Sequence, residues 1–275
     1  MRFDIRHVTT YRYDKPVALG RHLFRMRPRA DGFLVPQSFE ILIYPPPVGQ
    51  APLLDLEGNL AHVAWFGGET QELRVTVRSK GETLMRTPLL ADPETLTLPL
   101  DYGGDRVRLF PYLWAEGMEA SVVDFSREIA REANRQTFTF LETLNVRLRE
   151  TLRNVPRLIG SPYAPEYTLA ERKGSCRDFA VLFMACCRLQ GIAARFVSGY
   201  VPAEPGDKQH MHAWAEVYLP GIGWQAYDPT QGAGSSEKHV AVAAAADAID
   251  AGPVVGFFSG IALSEMSVDL TVEVT

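Results

Sequence analysis

The residues best suited to chemistry in this chain lie where a cysteine precedes a strongly apolar run. Residues 174–180 read Gly-Ser-Cys-Arg-Asp-Phe-Ala, and Val-Leu-Phe-Met-Ala-Cys-Cys follows directly. We interpret this stretch as the start of a buried helix, with Ser175 as the N-cap and Asp178 in the first turn, where the helix dipole favours a carboxylate. A thiol at Cys176 would face unpaired backbone N–H groups, which stabilise the thiolate. Cys176 is therefore a candidate nucleophile, although a lone helical cysteine is more often only a packing residue.

A thiolate nucleophile needs a base that takes and returns a proton, and the base needs an acceptor that orients it. His212 lies early in a predicted strand over residues 211–219, and Asp228 ends the next predicted strand over residues 224–228. A glycine-containing turn joins these strands into a hairpin, in which the two side chains can meet. Each residue alone is a weak signal, because strand histidines are usually structural and an aspartate often ends a strand. Together with Cys176 they predict a catalytic triad.

Other predicted elements hold the helix that carries Cys176. Its apolar run should end at Gly191, because glycine commonly occupies the left-handed position after a helix. The surrounding elements are amphipathic helices over residues 118–133 and 140–152, a loop through Tyr163 and Tyr167, and a strand over residues 194–201.

The first 80 residues read as short alternating strands separated by glycine, proline and asparagine, which is typical of an antiparallel β-sandwich. Residues 81–117 contain several prolines and are predicted to connect two domains. We therefore predict a β-sandwich domain over residues 1–115 and a catalytic core over residues 116–275. A last alternating strand at residues 267–274 can join the sheet of either domain.

The composition excludes several classes of protein. Apolar residues make up 46% of the chain and charged residues 22%, as in a globular protein. A net charge of −5 and a pI near 5.7 argue against broad binding to nucleic acid or to an anionic membrane surface. The charged N-terminus lacks the apolar core of a signal peptide, and no apolar stretch reaches the roughly 18 residues of a membrane span. Three cysteines, two of them adjacent, do not form a disulfide framework, so we expect a cytoplasmic protein.

Four motifs carry a resemblance to a known family. They are Gly-Ser-Cys-Arg-Asp-Phe-Ala at 174–180, Ala-Ala-Arg-Phe-Val-Ser-Gly-Tyr at 193–200, His-Ala-Trp-Ala-Glu-Val-Tyr at 212–218 and Gly-Trp-Gln-Ala-Tyr-Asp-Pro-Thr at 223–230. The chain resembles the transglutaminase-like superfamily of papain-type thiol enzymes, in its bacterial form with a β-rich N-terminal domain. The resemblance implies that Cys176 is the nucleophile, His212 the general base and acid, and Asp228 the orienting carboxylate. It also implies an α+β fold, in which the cysteine helix packs on an antiparallel sheet that carries the histidine and the aspartate.

The implied chemistry is attack on an amide carbonyl to give a thioester, which water or an amine then resolves. Water would make the protein a cysteine protease or amidase, and an amine would make it a transglutaminase-type crosslinking enzyme. The partner is thus a peptide, protein or other amide substrate whose identity the sequence leaves open. The backbone N–H of Cys176 is the natural first oxyanion donor. Tyr163, Tyr167 or a backbone group of the loop before Cys176 could supply the second donor, and the two tyrosines are also candidates for substrate contact. Trp214 either forms a wall of the cleft or packs in the core.

The same residues allow two alternatives to this chemistry, a metal site and a non-enzymatic role. Cys176 and Cys186 are ten residues apart on one helix, about 15 Å, so they cannot share a metal ion. His210 and His212 share a strand face and leave a two-histidine metal site open. The sequence contains no calcium loop, and we expect no metal or cofactor. A non-enzymatic binding or scaffolding protein with a transglutaminase-like core is the second functional candidate.

Asp178 is a further acidic residue close to the candidate nucleophile. Its place two residues after Cys176 could bring it into the chemistry. We interpret it instead as a helix-start carboxylate that pairs with Arg177 or Arg195.

Overall fold

The chain has strands at both ends and its helices between them. A computed structural model describes residues 1–84, 96–204, 206–234 and 237–275. The strands are β1 (Arg2–Leu19), β2 (His22–Phe24), β3 (Leu34–Tyr44), β4 (Gly49–Leu54), β5 (Leu60–Trp65), β6 (Thr70–Thr83), β7 (Arg153–Asn154), β8 (Lys173–Gly174), β9 (Ala194–Tyr200), β10 (Met211–Leu219), β11 (Gly223–Asp228), β12 (Ala233–Gly234), β13 (Val240–Ala245), β14 (Val254–Val255), β15 (Phe258–Ser259) and β16 (Ser264–Val274). The helices are α1 (Arg106–Leu113), α2 (Ala120–Glu132), α3 (Thr137–Thr151), α4 (Pro165–Glu171) and α5 (Cys176–Leu189).

Two antiparallel sheets are built mainly from the first 84 residues. One has the order β15-β1-β6-β3, with β16 also paired to β1, and the other has the order β14-β2-β5-β4. Side chains alternate along each strand, so every second residue of β1 and β6 points to the same face. Apolar residues of both sheets share one cluster, which includes Val17, Phe24, Ala64, Leu73 and Val75. The N-terminal β-sheets expected from the alternating sequence are therefore present.

The last strand of the chain runs along the first. β16 pairs antiparallel with β1, from Phe3 opposite Val274 to Tyr13 opposite Ser264. The strand predicted at residues 267–274 thus lies within β16 and joins the N-terminal sheet, which the sequence had left open. The short strands β14 and β15 also pair with β2 and β1, so the C-terminal segment returns to the N-terminal sheets. The division of the chain at residue 115 stays a prediction.

The sheet beneath the candidate site has the order β12-β11-β10-β9-β13 and is antiparallel throughout. Helix α5 packs on β9 and β10, and α2, α3 and α4 pack against α5. Most of α5 after its first turn is buried, as its apolar sequence predicts. Gly191 follows the helix with a positive φ of 75°, which confirms the predicted helix end. This helix-on-sheet core confirms the predicted α+β class.

Two predicted loops contain helices. The connection predicted over residues 81–117 includes α1, and the loop predicted before Cys176 includes α4, in which Tyr167 lies. Residues 85–95 of that connection lie outside the described residues. Prolines in α1 and at the start of α4 indicated loops, and α4 is too short for helical periodicity to show.

None of the helices in the described part of the chain has the length and apolar content of a membrane span.

Strand β13 was not predicted, although it forms an edge of the core sheet. Its sequence, Val-Ala-Val-Ala-Ala-Ala, is buried at every position, so no polar residues alternate with the apolar ones. Alanine also has a low preference for strands. β13 pairs with β9, with Val240 opposite Tyr200. This pairing fixes the position of His239, which directly precedes the strand.

The N-terminal sheet packs directly on the core sheet. Their shared apolar cluster includes Phe3, Ile5, Leu270, Tyr200 and Val242. Within this contact, Nδ1 of His7 lies 2.9 Å from the Tyr200 hydroxyl, and its Nε2 lies 2.9 Å from the Thr9 hydroxyl. Burial lowers the pKa of His7 to about 4, against the opposing effect of Asp269, so the ring is neutral at physiological pH. Hydrogen bonds and apolar packing together hold the two parts of the chain in one arrangement.

Candidate active site

Cys176 is the first residue of α5, and its side chain is partly exposed. Ser175 is the N-cap and Asp178 lies in the first turn, as predicted. The completely buried Asp178 carboxylate accepts hydrogen bonds from the backbone N–H of Ser175 at 2.6 Å and from its hydroxyl at 2.8 Å. It also accepts hydrogen bonds from Arg157 and from the backbone N–H of Tyr163, each at 2.7 Å. These contacts tie the preceding loop to the start of the helix and hold Cys176 in place.

The ion pair predicted for Asp178 has a different partner. Arg157 binds the carboxylate, whereas Arg177 donates to backbone carbonyls of the preceding loop. Arg195 pairs instead with Glu216 at 2.6 Å. Helical spacing could not indicate Arg157, because it comes from a loop 21 residues earlier in the chain.

Replacing Asp178 by alanine is expected to lower the free energy of unfolding by about 3 kcal/mol. The substitution removes the buried counter-ion of Arg157 and leaves backbone N–H groups without an acceptor. Urea unfolding measures the loss, and Asp178→Asn is the matched control that keeps the shape and one acceptor oxygen. A loss under about 1 kcal/mol for the alanine variant would contradict the stabilising role assigned to this carboxylate.

His212 and Asp228 meet across neighbouring strands. The register pairs Ala215 with Tyr227, so Asp228 lies beside Trp214 and one diagonal step from His212 on the same face. Nε2 of His212 lies 2.7 Å from Oδ2 of Asp228. The carboxylate is completely buried, whereas the imidazole side chain is 18% exposed. The structure thus brings together the two hairpin residues that the sequence singled out.

Cys176 lines the same cleft as His212 and lies close enough to the imidazole to raise its pKa. Because Nε2 faces Asp228, Nδ1 is the nitrogen left for the sulfur. Burial lowers the pKa of His212, but the hydrogen bond to Asp228, the negative charge of that carboxylate and the nearby Cys176 outweigh it and raise the pKa to about 10. These surroundings favour the positively charged imidazolium form of His212 next to Cys176.

Asp228 has a second histidine partner, His239, that sequence reasoning missed. Nε2 of His239 lies 3.0 Å from Oδ2, the oxygen that His212 also contacts. Oδ1 accepts hydrogen bonds from the Thr230 backbone N–H at 3.0 Å and from its hydroxyl at 2.6 Å. Burial raises the pKa of Asp228, yet the hydrogen bonds from His212, His239 and Thr230 hold it well below its usual range. The one signal in the sequence was a histidine directly before the apolar run of β13.

The same side chains are the candidates for holding a metal ion. Among the described residues, ligand atoms of His212, Asp228 and His239 lie within 4.8 Å of one another. The two-histidine site left open by the sequence involved His210, which lines the same cleft as His212 but is not part of this group. Both imidazoles lie at hydrogen-bond distance from one carboxylate oxygen, and Thr230 satisfies the other. Hydrogen bonds therefore compensate the buried charge without an ion.

Cys176 and His212 open onto a cleft of about 170 Å³ between the core and the N-terminal sheet. On the core side the lining includes Leu158, Arg177 and Met211. The facing residues come from β1 and β16 and are His7, Thr9, Tyr11, Met266 and Val268. Both ends of the chain therefore border the space next to the candidate nucleophile.

The side chains predicted to contact substrate lie in different surroundings. Tyr163 and Tyr167 are exposed near the start of α5, and their ring centroids are 4.9 Å apart. Neither is among the described residues that line the cleft, and their roles stay predictions. Trp214 is only 1% exposed and packs against Val197 and Ala226. Its ring also stacks on that of His212, with centroids 6.2 Å apart, and a contact of Trp214 with substrate stays a prediction.

Both parts of the chain match described families. Residues 123–229 match the transglutaminase-like superfamily, and residues 3–82 match the bacterial transglutaminase-like N-terminal region. An uncharacterised protein of Mycobacterium leprae is 32% identical over 133 residues, which cover 46% of each chain. An uncharacterised protein of Mycobacterium bovis is 36% identical over 116 residues, or 37% of each chain. The chain thus spans less than half the length of these relatives.

A solved structure shares the whole fold. The crystal structure of a candidate cysteine protease from Cytophaga hutchinsonii aligns with a TM-score of 0.77. The alignment covers 100% of this chain and 91% of that protein, at 22% sequence identity. The arrangement of N-terminal sheets on a helix-and-sheet core is therefore common to both proteins.

Proposed function

Because this chain belongs to the transglutaminase-like superfamily and carries a bacterial transglutaminase-like N-terminal region, we propose that it is a cysteine-dependent acyl-transfer enzyme. Its substrate is an amide, and the acyl group passes through a thioester on Cys176. The observation that carries this proposal is that Cys176 and His212 line one open cleft and that His212 is hydrogen-bonded to the buried Asp228. Family membership supports the reaction class, and the cleft supports access of a substrate to the sulfur.

Acylation begins with His212 as the imidazolium and Cys176 as the thiolate. The sulfur attacks the amide carbonyl carbon, and the carbonyl electron pair moves to oxygen, where the backbone N–H of Cys176 donates a hydrogen bond. As the tetrahedral centre collapses to a thioester, His212 gives its proton to the leaving amine. Asp228 orients the ring and stabilises its charged form.

Deacylation reverses these roles. Neutral His212 takes a proton from water or from a second amine, which attacks the acyl carbon and releases Cys176 as the thiolate. Water makes the reaction a peptidase or amidase hydrolysis, and an amine makes it a transamidation. Incubating the protein with candidate amide substrates, with and without an added primary amine, separates the two outcomes by the mass of the product.

The nucleophile is tested by alkylation with iodoacetamide at about pH 6.5, where an ordinary thiol is only about 1% ionised. We expect one rapid addition at Cys176, located by peptide mass spectrometry. Cys186 and Cys187 serve as internal controls, because both are completely buried and burial raises the pKa of their thiols. Slow and equal labelling of all three cysteines would remove the main support for the proposal.

A further inference from the structure

We propose that β1 and β16 supply one wall of a substrate subsite beside Cys176, and that this subsite accepts an apolar side chain on the acyl part of the substrate. The subsite presupposes the proposed acyl transfer, because it is defined by its place next to the nucleophile. Its wall comes from the N-terminal sheet, outside the elements that carry the candidate triad.

The register of the strands builds this wall. Thr9 lies opposite Val268 and Tyr11 lies opposite Met266 in the β1–β16 pair. Opposed residues of an antiparallel pair point to the same face, so these side chains form one continuous surface. All of them line the cleft onto which the candidate nucleophile opens.

The surface is uncharged. His7 uses both ring nitrogens in hydrogen bonds, and burial lowers its pKa to about 4. Burial also raises the pKa of Tyr11 to about 12, so its phenol is neutral. Val268 and Met266 add apolar surface, and the flexible methionine can adapt to different shapes. Among the described residues that line the cleft, none is an aspartate or a glutamate.

The opposite side of the cleft carries positive charge. Arg157 and Arg177 lie there, the first bound to Asp178 and the second to backbone carbonyls. A cationic substrate side chain would lose its hydration in this cleft without gaining a carboxylate partner. An apolar side chain would instead gain from leaving water. The cleft should therefore discriminate against lysine and arginine next to the scissile carbonyl.

Dipeptidyl chloromethyl ketones test this preference, because the thiolate displaces chloride and forms a stable thioether. The Ala-Leu, Ala-Lys and Ala-Glu reagents differ only in the side chain next to the reactive ketone. We expect the second-order rate constant at Cys176, measured by intact mass, to be roughly tenfold or more higher for the leucine reagent than for the lysine reagent.

Two variants that add a carboxylate to the wall sharpen the test. Val268→Asp and Met266→Glu are each expected to narrow or reverse the preference for leucine over lysine, and Val268→Asn is the uncharged control. A cooperative thermal unfolding transition shows which of these variants are folded, and only those are compared. An unchanged preference in a folded carboxylate variant would overturn the assignment of this wall.

Iodoacetamide separates failure of the subsite from failure of the proposed function, because the reagent carries no substrate side chain. Rapid alkylation by iodoacetamide with equal rates for the three dipeptidyl reagents would overturn the apolar subsite alone. A fastest reaction of the Ala-Glu reagent would also overturn the apolar subsite. Slow alkylation of Cys176 by iodoacetamide would overturn the acyl-transfer function itself.

A separate observation concerns the second histidine on Asp228. We infer that His239 is a positioning residue, whose Nε2–H holds the buried carboxylate in the orientation that His212 requires. Its side chain is 3% exposed and lies 3.0 Å from the oxygen that His212 contacts. Pairing of the adjacent Val240 with β9 and edge-on packing against Trp214, with centroids 5.0 Å apart, fix the ring.

His239→Gln and His239→Leu form a matched pair, because the glutamine amide can donate to the carboxylate and leucine cannot. We expect the leucine variant to alkylate at Cys176 roughly tenfold more slowly near neutral pH and to reach rapid alkylation only at a higher pH than the wild type, as an ordinary thiol ionises. The glutamine variant should keep most of the rate and the wild-type pH profile. Methionine replaces leucine in this comparison if the leucine variant does not fold.

A purely structural role for His239 predicts a different pattern. Loss of packing would affect the glutamine and leucine variants alike, whereas loss of the donor separates them. Equal alkylation rates and equal pH profiles in the two folded variants, whether fast or slow, would therefore overturn the positioning role.

Discussion

Replacing His212 by alanine is expected to slow the alkylation of Cys176 roughly hundredfold near pH 6.5 while the protein stays folded. In the proposed mechanism the imidazolium stabilises the adjacent thiolate, so without it we expect the sulfur to behave as an ordinary thiol, which is about 1% ionised at this pH. The fold should survive because the imidazole is partly exposed. Asp228 also keeps His239 and Thr230 as donors, so its buried charge stays compensated.

The rates of iodoacetamide addition to wild type and His212→Ala, followed by intact mass, measure this effect. The two proteins should converge at about pH 9.5, where an ordinary thiol is largely ionised. His62→Ala is the matched control, because His62 is a partly exposed histidine of β5 that contacts Gln50 in the N-terminal sheets. Equal rates for wild type and the His212 variant near pH 6.5 would rule out the histidine as the partner of the sulfur.

The parts of the site that the sequence predicted are encoded by neighbouring residues. A serine before an apolar run indicates the helix start at Cys176, and alternation around a glycine turn indicates the hairpin that carries His212 and Asp228. Strands β10 and β11 accordingly match the predicted strands to within one residue. Hydrophobic periodicity and turn residues are local properties, so one sequence is enough to detect them.

The parts of the site that the sequence did not predict depend on contacts between residues far apart in the chain. His239 is placed by β13, whose uniformly apolar sequence shows no alternation, and Arg157 reaches Asp178 from a loop that has no regular pattern. The cleft wall requires β16 to pair with β1, and Val268 is separated from Thr9 by almost the whole chain. Such contacts depend on how finished sheets pack together, which local patterns do not encode.

Replacing Asp228 by asparagine is expected to have a comparably large effect on alkylation and a distinct pH dependence. Asparagine keeps the shape of the side chain but removes the charge that helps to raise the pKa of His212 to about 10. Burial then lowers this pKa, so the ring is neutral near pH 7 and no longer holds the sulfur as a thiolate. Alkylation should fall roughly hundredfold near pH 6.5 and recover only above about pH 8, as an ordinary thiol ionises.

The same substitution should change how stability depends on pH. In the wild type, folding raises the pKa of His212 from 6.5 to about 10, so the folded chain binds this proton more tightly than the unfolded chain. The resulting stabilisation is complete below about pH 6.5 and is lost as the pH rises toward 10. The melting temperature of Asp228→Asn, followed by circular dichroism, should therefore fall less between pH 6.5 and 9.5 than that of the wild type. An equal fall in both proteins would show that the carboxylate does not raise the pKa of His212, and the imidazolium–thiolate pair would lose its electrostatic basis.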